Sequence, residues 1–117
     1  MTSRAEREAQ GRRGESLAAW YLRLKGWRIL AQRVKTPRGE IDLIARRGGV
    51  VAFVEVKWRA RADELDQAVD PWRLRRVAAA AEAVGHRYAR AHDLQRIDVL
   101  LLAPGRFPRH MANALML

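Results

Sequence analysis

The chain reads as an α/β domain in the order helix, three strands, helix, strand, with a mixed central sheet flanked by helices. Three observations carry this reading. Residues 4–24 show helical spacing, residues 39–58 hold two β-rich runs split by a glycine pair, and an alanine-rich helical stretch at 71–91 precedes an apolar run at 96–104.

In the first helix Leu17, Tyr21 and Leu24 recur at helical spacing, and Gly26 is placed to end it, while Gly11 and Gly14 weaken its first half. WRILAQRV (27–34) predicts a strand, and TPRG (36–39) a turn whose proline and glycine stop it. GEIDLIA (39–45) and VVAFVEVKW (50–58) predict two strands joined through Gly48 and Gly49, which suit a tight turn and an antiparallel pair. The polar stretch at 59–69 lacks periodicity and predicts a mobile surface loop beside any site at the strand end. Asp70 as N-cap and Pro71 at the first helical position open the second helix, expected to run to about Ala91. RIDVLLLAP (96–104) predicts a strand buried on both faces, as central or parallel strands are. The tail from Gly105 has no clear pattern; its ending, MANALML, could cover a sheet edge or pair two copies into a homodimer. No repeat or composition break divides the chain, so residues 1–117 are expected to form one domain.

An apolar fraction of 49% with 31% charged residues supports a single buried core. No apolar run nears the roughly 20 residues of a membrane helix, and the basic start is followed by no apolar signal core, so a soluble cytoplasmic protein is expected. The absence of cysteine and the scatter of His86, His92 and His110 exclude thiolate and zinc-type centres, leaving oxygen ligands for any metal. A formal charge of +10 implies a polyanionic partner, nucleic acid above all, although ribosomal and membrane-surface proteins share this balance. Twenty of the 23 basic residues are arginine, which makes the three lysines conspicuous.

Along 50–58 the two-residue period puts Val51, Phe53, Glu55 and Lys57 on one face. On the preceding strand it groups Ile41, Leu43 and Ala45 against Glu40, Asp42 and Ile44. Carboxylates at Asp42 and Glu55 thus enter an apolar neighbourhood, where their charge must be offset. One solution is a salt bridge to Lys57 or an arginine. The other is Mg²⁺ or Mn²⁺ held by Asp42, Glu55 and the Val56 carbonyl, with Lys57 orienting a water and stabilising charge on the phosphorane. Lysine suits that task because its ammonium is a compact donor, unlike guanidinium.

The Asp, then Glu-x-Lys, of Asp42, Glu55 and Lys57 resembles the PD-(D/E)XK nuclease superfamily. With GRRGESLAAWYLRLKGWRIL, GEIDLIA and VVAFVEVKWR around it, nearly the whole chain resembles the YraN-like family of small bacterial proteins, similar in fold to archaeal Holliday-junction resolvases. The resemblance implies a restriction-endonuclease-like αβββαβ core, a divalent metal and a branched or structured DNA substrate. It also implies Glu15 as a first-helix site acid, Asp42 and Glu55 as metal ligands and Lys57 as the catalytic lysine. The family often has Arg-Asn where Arg33 and Val34 stand, and a lysine where the second helix begins with Trp72 and Arg73. Phosphate contacts are expected from Arg12, Arg13, Arg59, Arg73 and Arg76, the last two sharing a helix face. Trp58 and Trp72 could stack on unpaired bases, with core or interface packing as the alternative. A DNA- or RNA-binding module that keeps the fold without turnover is the competing expectation.

Overall fold

In a computed structural model, which describes residues 4–59 and 70–115 with side chains from Gly14 onward, a five-stranded sheet separates two helices. The order along the chain is α1 (Arg4–Leu24), β1 (Arg28–Thr36), β2 (Gly39–Arg47), β3 (Val50–Trp58), α2 (Pro71–Val84), a 3-10 turn (Gly85–Arg87), β4 (Leu94–Leu102) and β5 (Arg109–Met111). The strands lie in the sheet in the same order. The neighbouring pairs β1–β2, β2–β3 and β4–β5 are antiparallel, and β3–β4, spanned by the α2 crossover, is parallel. This is the expected mixed sheet with helices on both faces. Residues 60–69, most of the expected loop, lie outside the described residues.

Each helix covers one face. On one side Leu74, Val77, Ala80 and Val84 of α2 pack on Ile41, Ile44, Val51, Phe53, Val99 and Leu101. On the other, Ala18, Ala19 and Leu22 of α1 pack on Leu43, Ala45, Ala52, Val54 and Leu100. The first helix has the expected bounds but turns a different face inward: Leu17 and Leu24, which marked its periodicity, are 50% and 78% exposed. Ala18 and Ala19 let α1 lie close to the sheet with Leu22 beside them, and Leu17 and Leu24 point outward. Its end is a Schellman cap. The Gly26 N–H donates to the Arg23 carbonyl at 3.0 Å and the Trp27 N–H to the Leu22 carbonyl at 2.9 Å, with Gly26 at φ +90° and Trp27 and Leu22 in one core.

The second helix starts as expected, Asp70 Oδ1 accepting from the Trp72 N–H at 3.0 Å with Pro71 behind it. It ends at Val84 rather than near Ala91, because Gly85 has poor α-propensity and the chain tightens into the 3-10 turn before β4. That strand begins and ends two residues earlier than 96–104 and is buried from Ile97 onward. The tail supplies the short β5 on the outer side of β4, and the Ala114 N–H donates to the Ile97 carbonyl at 2.7 Å. Residues 109–114 therefore lie along the outer edge of β4. Its anchor is Asp98, fully buried, which accepts from Arg96 at 2.9 and 3.0 Å, from the Asn113 N–H at 2.9 Å and pairs with His110 Nε2 at 2.7 Å.

A candidate active site at a fork in the sheet

Pairing between β2 and β3 runs from Arg47 with Val50 to Leu43 with Val54 and stops there. The next step in that register would set Asp42 opposite Glu55. Instead Asp42 Oδ2 accepts from the Val56 N–H at 2.8 Å, so a carboxylate takes the place of a strand carbonyl and the two strands part. The alternation expected along β2 breaks at this point. Ile41 joins Ile44 in the α2-side core, whereas Leu43 and Ala45 face α1. The side chain of Asp42 points along the sheet toward β3, between the two faces, because it satisfies the amide that the fork leaves open.

Glu55 and Lys57 keep the expected common face and are almost wholly covered, at 5% and 7% exposure. Lys57 Nζ lies 2.9 Å from Glu55 Oε1, and Arg73 Nη2 approaches the same oxygen to 3.4 Å from the first turn of α2. Buried charge is thus paired within the site. Burial, and next the repulsion of Glu55, push the Asp42 carboxyl up to about 7 against the opposing Val56 hydrogen bond; Glu15 adds to the rise and Lys57 resists it.

Glu15 reaches this neighbourhood from α1 and bonds the Nε of Arg33, whose pKa that contact raises. In the sequence Arg33 stands out only as the neighbour of Val34, which takes the place of the family's asparagine; the structure makes Arg33 part of the site. The β1–β2 register sets it opposite Asp42, with its backbone in the left-handed region at φ +53°. A non-glycine residue there is strained, and such strain concentrates where surrounding structure holds a side chain for use. Arginine carries no left-handed preference, so the sequence offers no signal for it.

The face of Glu55 opens into a cavity of about 300 Å³ walled by Glu40, Trp72, Arg73, Arg76 and Val77. Arg73 and Arg76 therefore meet on one face as expected. The Arg76 guanidinium stacks 5.2 Å from the centre of the exposed Trp72 ring, at the cavity wall, whereas Trp58 packs in the α1-side core. Arg59 donates to the Trp58 carbonyl at 3.0 Å, and the side chains of Arg12 and Arg13 lie outside the described residues. A larger groove of about 770 Å³ between α2 and the β4 side holds none of Asp42, Glu55 and Lys57.

Among the described residues no three His, Cys, Asp or Glu side chains are grouped to hold a metal ion. Asp42 and Glu55 instead offer two carboxylates from neighbouring strands, a donor set that suits a hard cation completing its shell with carbonyl oxygen and water. The rise of Asp42 to about 7 marks uncompensated negative charge that a cation would relieve, so the residues fit such an ion.

Residues 14–102, a stretch that holds Glu15, Arg33, Asp42, Glu55 and Lys57, match the uncharacterised protein family UPF0102. The chain belongs to this family. UPF0102 proteins of Sphingopyxis alaskensis and Erythrobacter litoralis are similar to it at 63% identity over 95% of this chain and 96% of theirs, and at 68% over 92% of both. The expected YraN-like membership stands. Among solved structures, the Holliday junction resolvase Hjc of Archaeoglobus fulgidus is similar in fold to this UPF0102 protein. It superposes with a TM-score of 0.57 at 20% identity, covering 86% of this chain and 73% of the resolvase. The fold is that of the restriction-endonuclease-like proteins.

Proposed function

We propose that the protein is a divalent-metal-dependent endonuclease hydrolysing phosphodiesters of structured or branched DNA. The observation that carries the proposal is the fork, where Asp42 and Glu55 converge from β2 and β3 with Lys57 2.9 Å from Glu55. The open cavity beside it is rimmed by Arg73 and Arg76. Mg²⁺ or Mn²⁺ held by Asp42, Glu55 and the Val56 carbonyl would supply Lewis-acid polarisation of the scissile phosphate. The chain's own residues do the rest. Lys57 positions the attacking water and offsets charge developing on the phosphorane, Arg73 and Arg76 hold the flanking phosphate, and Glu15 fixes Arg33 beside Asp42. The choice of a branched substrate leans on the fold neighbour being a resolvase. Two copies meeting a two-fold junction, and a cytoplasmic location, belong to the same reading. No helix among the described residues is long and apolar enough to cross a membrane.

One observation favours a second reading, a nucleic-acid-binding module without turnover: Glu55 already carries two cations, Lys57 and Arg73. Cleavage of labelled Holliday-junction, flap, single-strand and duplex DNA with Mg²⁺, Mn²⁺ or EDTA separates the two. Metal-dependent cutting that falls by roughly 100-fold or more in Asp42→Ala and in Lys57→Ala supports the endonuclease. Structure-selective binding with no cutting in any metal selects the binding module.

A further inference from the structure

A second group of arginines lies on the α2 side of the sheet, at the opposite end of β2 from the fork. Arg28 and Arg46 are direct partners across the β1–β2 ladder, where like charges destabilise each other. Arg87 comes from the 3-10 turn and Arg90 from just beyond it. With Leu30 and Tyr88 these arginines wall a cavity of about 390 Å³. The β-bulge between Ile29 and Ala31 shapes this wall around Leu30.

The pocket is built rather than a loose run of surface charge. Arg46 is 14% exposed in its side chain and fixed on two sides, its Nη2 lying 2.7 Å from Asp93 Oδ2 and 3.1 Å from the Tyr88 carbonyl. The same Asp93 oxygen accepts from the Arg90 N–H at 2.6 Å, which ties the turn to the strand. Four guanidinium charges against this one carboxylate leave three positive charges around a concave wall. Among the described residues Arg28 and Arg87 meet no carboxylate. Asp93 offsets the charge of Arg46 alone, so an anion with several acceptor oxygens is the complementary ligand.

We propose that this is a phosphate-binding pocket and, resting on the nucleic-acid reading above, that its occupant is a phosphodiester of the same DNA that enters the fork. Two elements measure the separation of the sites. From Glu40 to Arg46 along β2 is roughly 20 Å at about 3.3 Å per residue, and from Arg73 to Arg87 along α2 and its turn is again roughly 20 Å at about 1.5 Å per residue. At about 3.4 Å per base pair that corresponds to roughly six base pairs. The pocket thus holds an arm of the substrate well away from the cleavage point and sets its direction.

The test uses the full chain and the double variant Arg28→Gln/Arg87→Gln, both exposed positions, with Arg23→Gln/Arg106→Gln as a charge-matched control. In the first arm inorganic pyrophosphate is titrated and the arginine Nε–H signals are followed by NMR. The expected result is a shift of pocket signals, with binding weakened at least about tenfold in the pocket variant and unchanged in the control. In the second arm the affinity of a 20-base-pair duplex is measured against salt, and the pocket variant is expected to lower the log–log slope by about one to two, near 0.9 for each lost phosphate contact. Pyrophosphate binding that ignores the pocket variant overturns the site. Pyrophosphate binding that is lost while the salt slope stays unchanged overturns the phosphodiester assignment and points to a free phosphorylated ligand. Neither arm requires cutting, so failure of the endonuclease reading in the cleavage assay is read separately.

Discussion

Replacing Asp42 by asparagine should make the protein more stable, and increasingly so as the pH rises. Asparagine keeps an oxygen that can accept the Val56 N–H, now at 2.8 Å, but carries no charge beside Glu55. In the folded wild type the Asp42 carboxyl is raised from 3.8 to about 7. At about 1.4 kcal/mol per pKa unit, that shift is worth about 4 kcal/mol for a fully enclosed group; solvent still reaches Asp42, which reduces it to roughly 2 kcal/mol. The sign follows from linkage. Below about pH 4 the carboxyl is protonated in both states and contributes nothing; between about pH 4 and 7 the unfolded chain ionises first and unfolding is favoured, and above about 7 the full penalty applies. Urea unfolding of both proteins in EDTA at pH 5 and pH 8 should show the advantage of Asp42→Asn widening with pH by roughly 1 kcal/mol, equivalent to about 5 °C in Tm, because part of the penalty is already present at pH 5. A difference that does not change with pH, or a variant less stable at pH 8, refutes the account of Asp42 as an uncompensated buried carboxylate. Under the metal proposal, Mg²⁺ should narrow the gap by stabilising the wild type alone.

Two further outcomes follow from packing and charge away from the fork. A methyl group at Gly39 would lie 2.8 Å from the Arg76 carbonyl oxygen, so Gly39→Ala should push α2 from the β1–β2 turn and cost about 1–3 kcal/mol in urea unfolding, with the cavity beside Glu55 disturbed as well. Burial acts to raise the Asp98 pKa, but the His110, Arg96 and Asn113 hydrogen bonds outweigh it and hold the carboxyl below its usual range. Its stabilisation is present above about pH 4 and is lost as the pH falls through the depressed folded value, so Asp98→Asn should cost about 3–5 kcal/mol at neutral pH and flatten the acid limb of the stability profile.

What could be read from the chain and what could not divide along physical lines. The bounds of β3 were legible because nine residues of β-rich sequence stand between a glycine turn and a polar stretch. The start of α2 was legible because Asp70 and Pro71 act through local backbone chemistry. Leu17 and Leu24 announced a helix correctly but misreported its buried face, since the closeness of α1 to the sheet favours alanine there, a property of the packed layers. The three residues of β5 have no pattern of their own and are held by a bond from His110 to Asp98, twelve positions away. Within the site, residue type exposed Asp42, Glu55 and Lys57. Periodicity assigns a side chain to a face, however, and has no term for one that turns into the ladder, so the fork and the strained Arg33 across from it stayed hidden.

The fork also explains why the three acids it gathers differ in what they can do. Ending the β2–β3 ladder early forfeits backbone hydrogen bonds worth roughly 1 kcal/mol each, and the Asp42 carboxylate restores one of them at Val56. Glu15 is paired with Arg33, and Glu55 with Lys57 and Arg73, so each enters the site with a cation in hand. Among the described residues Asp42 has an N–H and no ion pair, and burial with the charge of Glu55 pushes it up to about 7. A cation entering the fork would therefore gain most at Asp42 and could share Glu55 by displacing Arg73, whose contact is the longer one at 3.4 Å. Arg73 stands on α2 facing the same cavity, so its release would free a guanidinium beside the position where a phosphate would lie. Under the metal proposal, loading the site with a cation and presenting an arginine to a phosphate would be one event, built on the exchange of a single partner of Glu55.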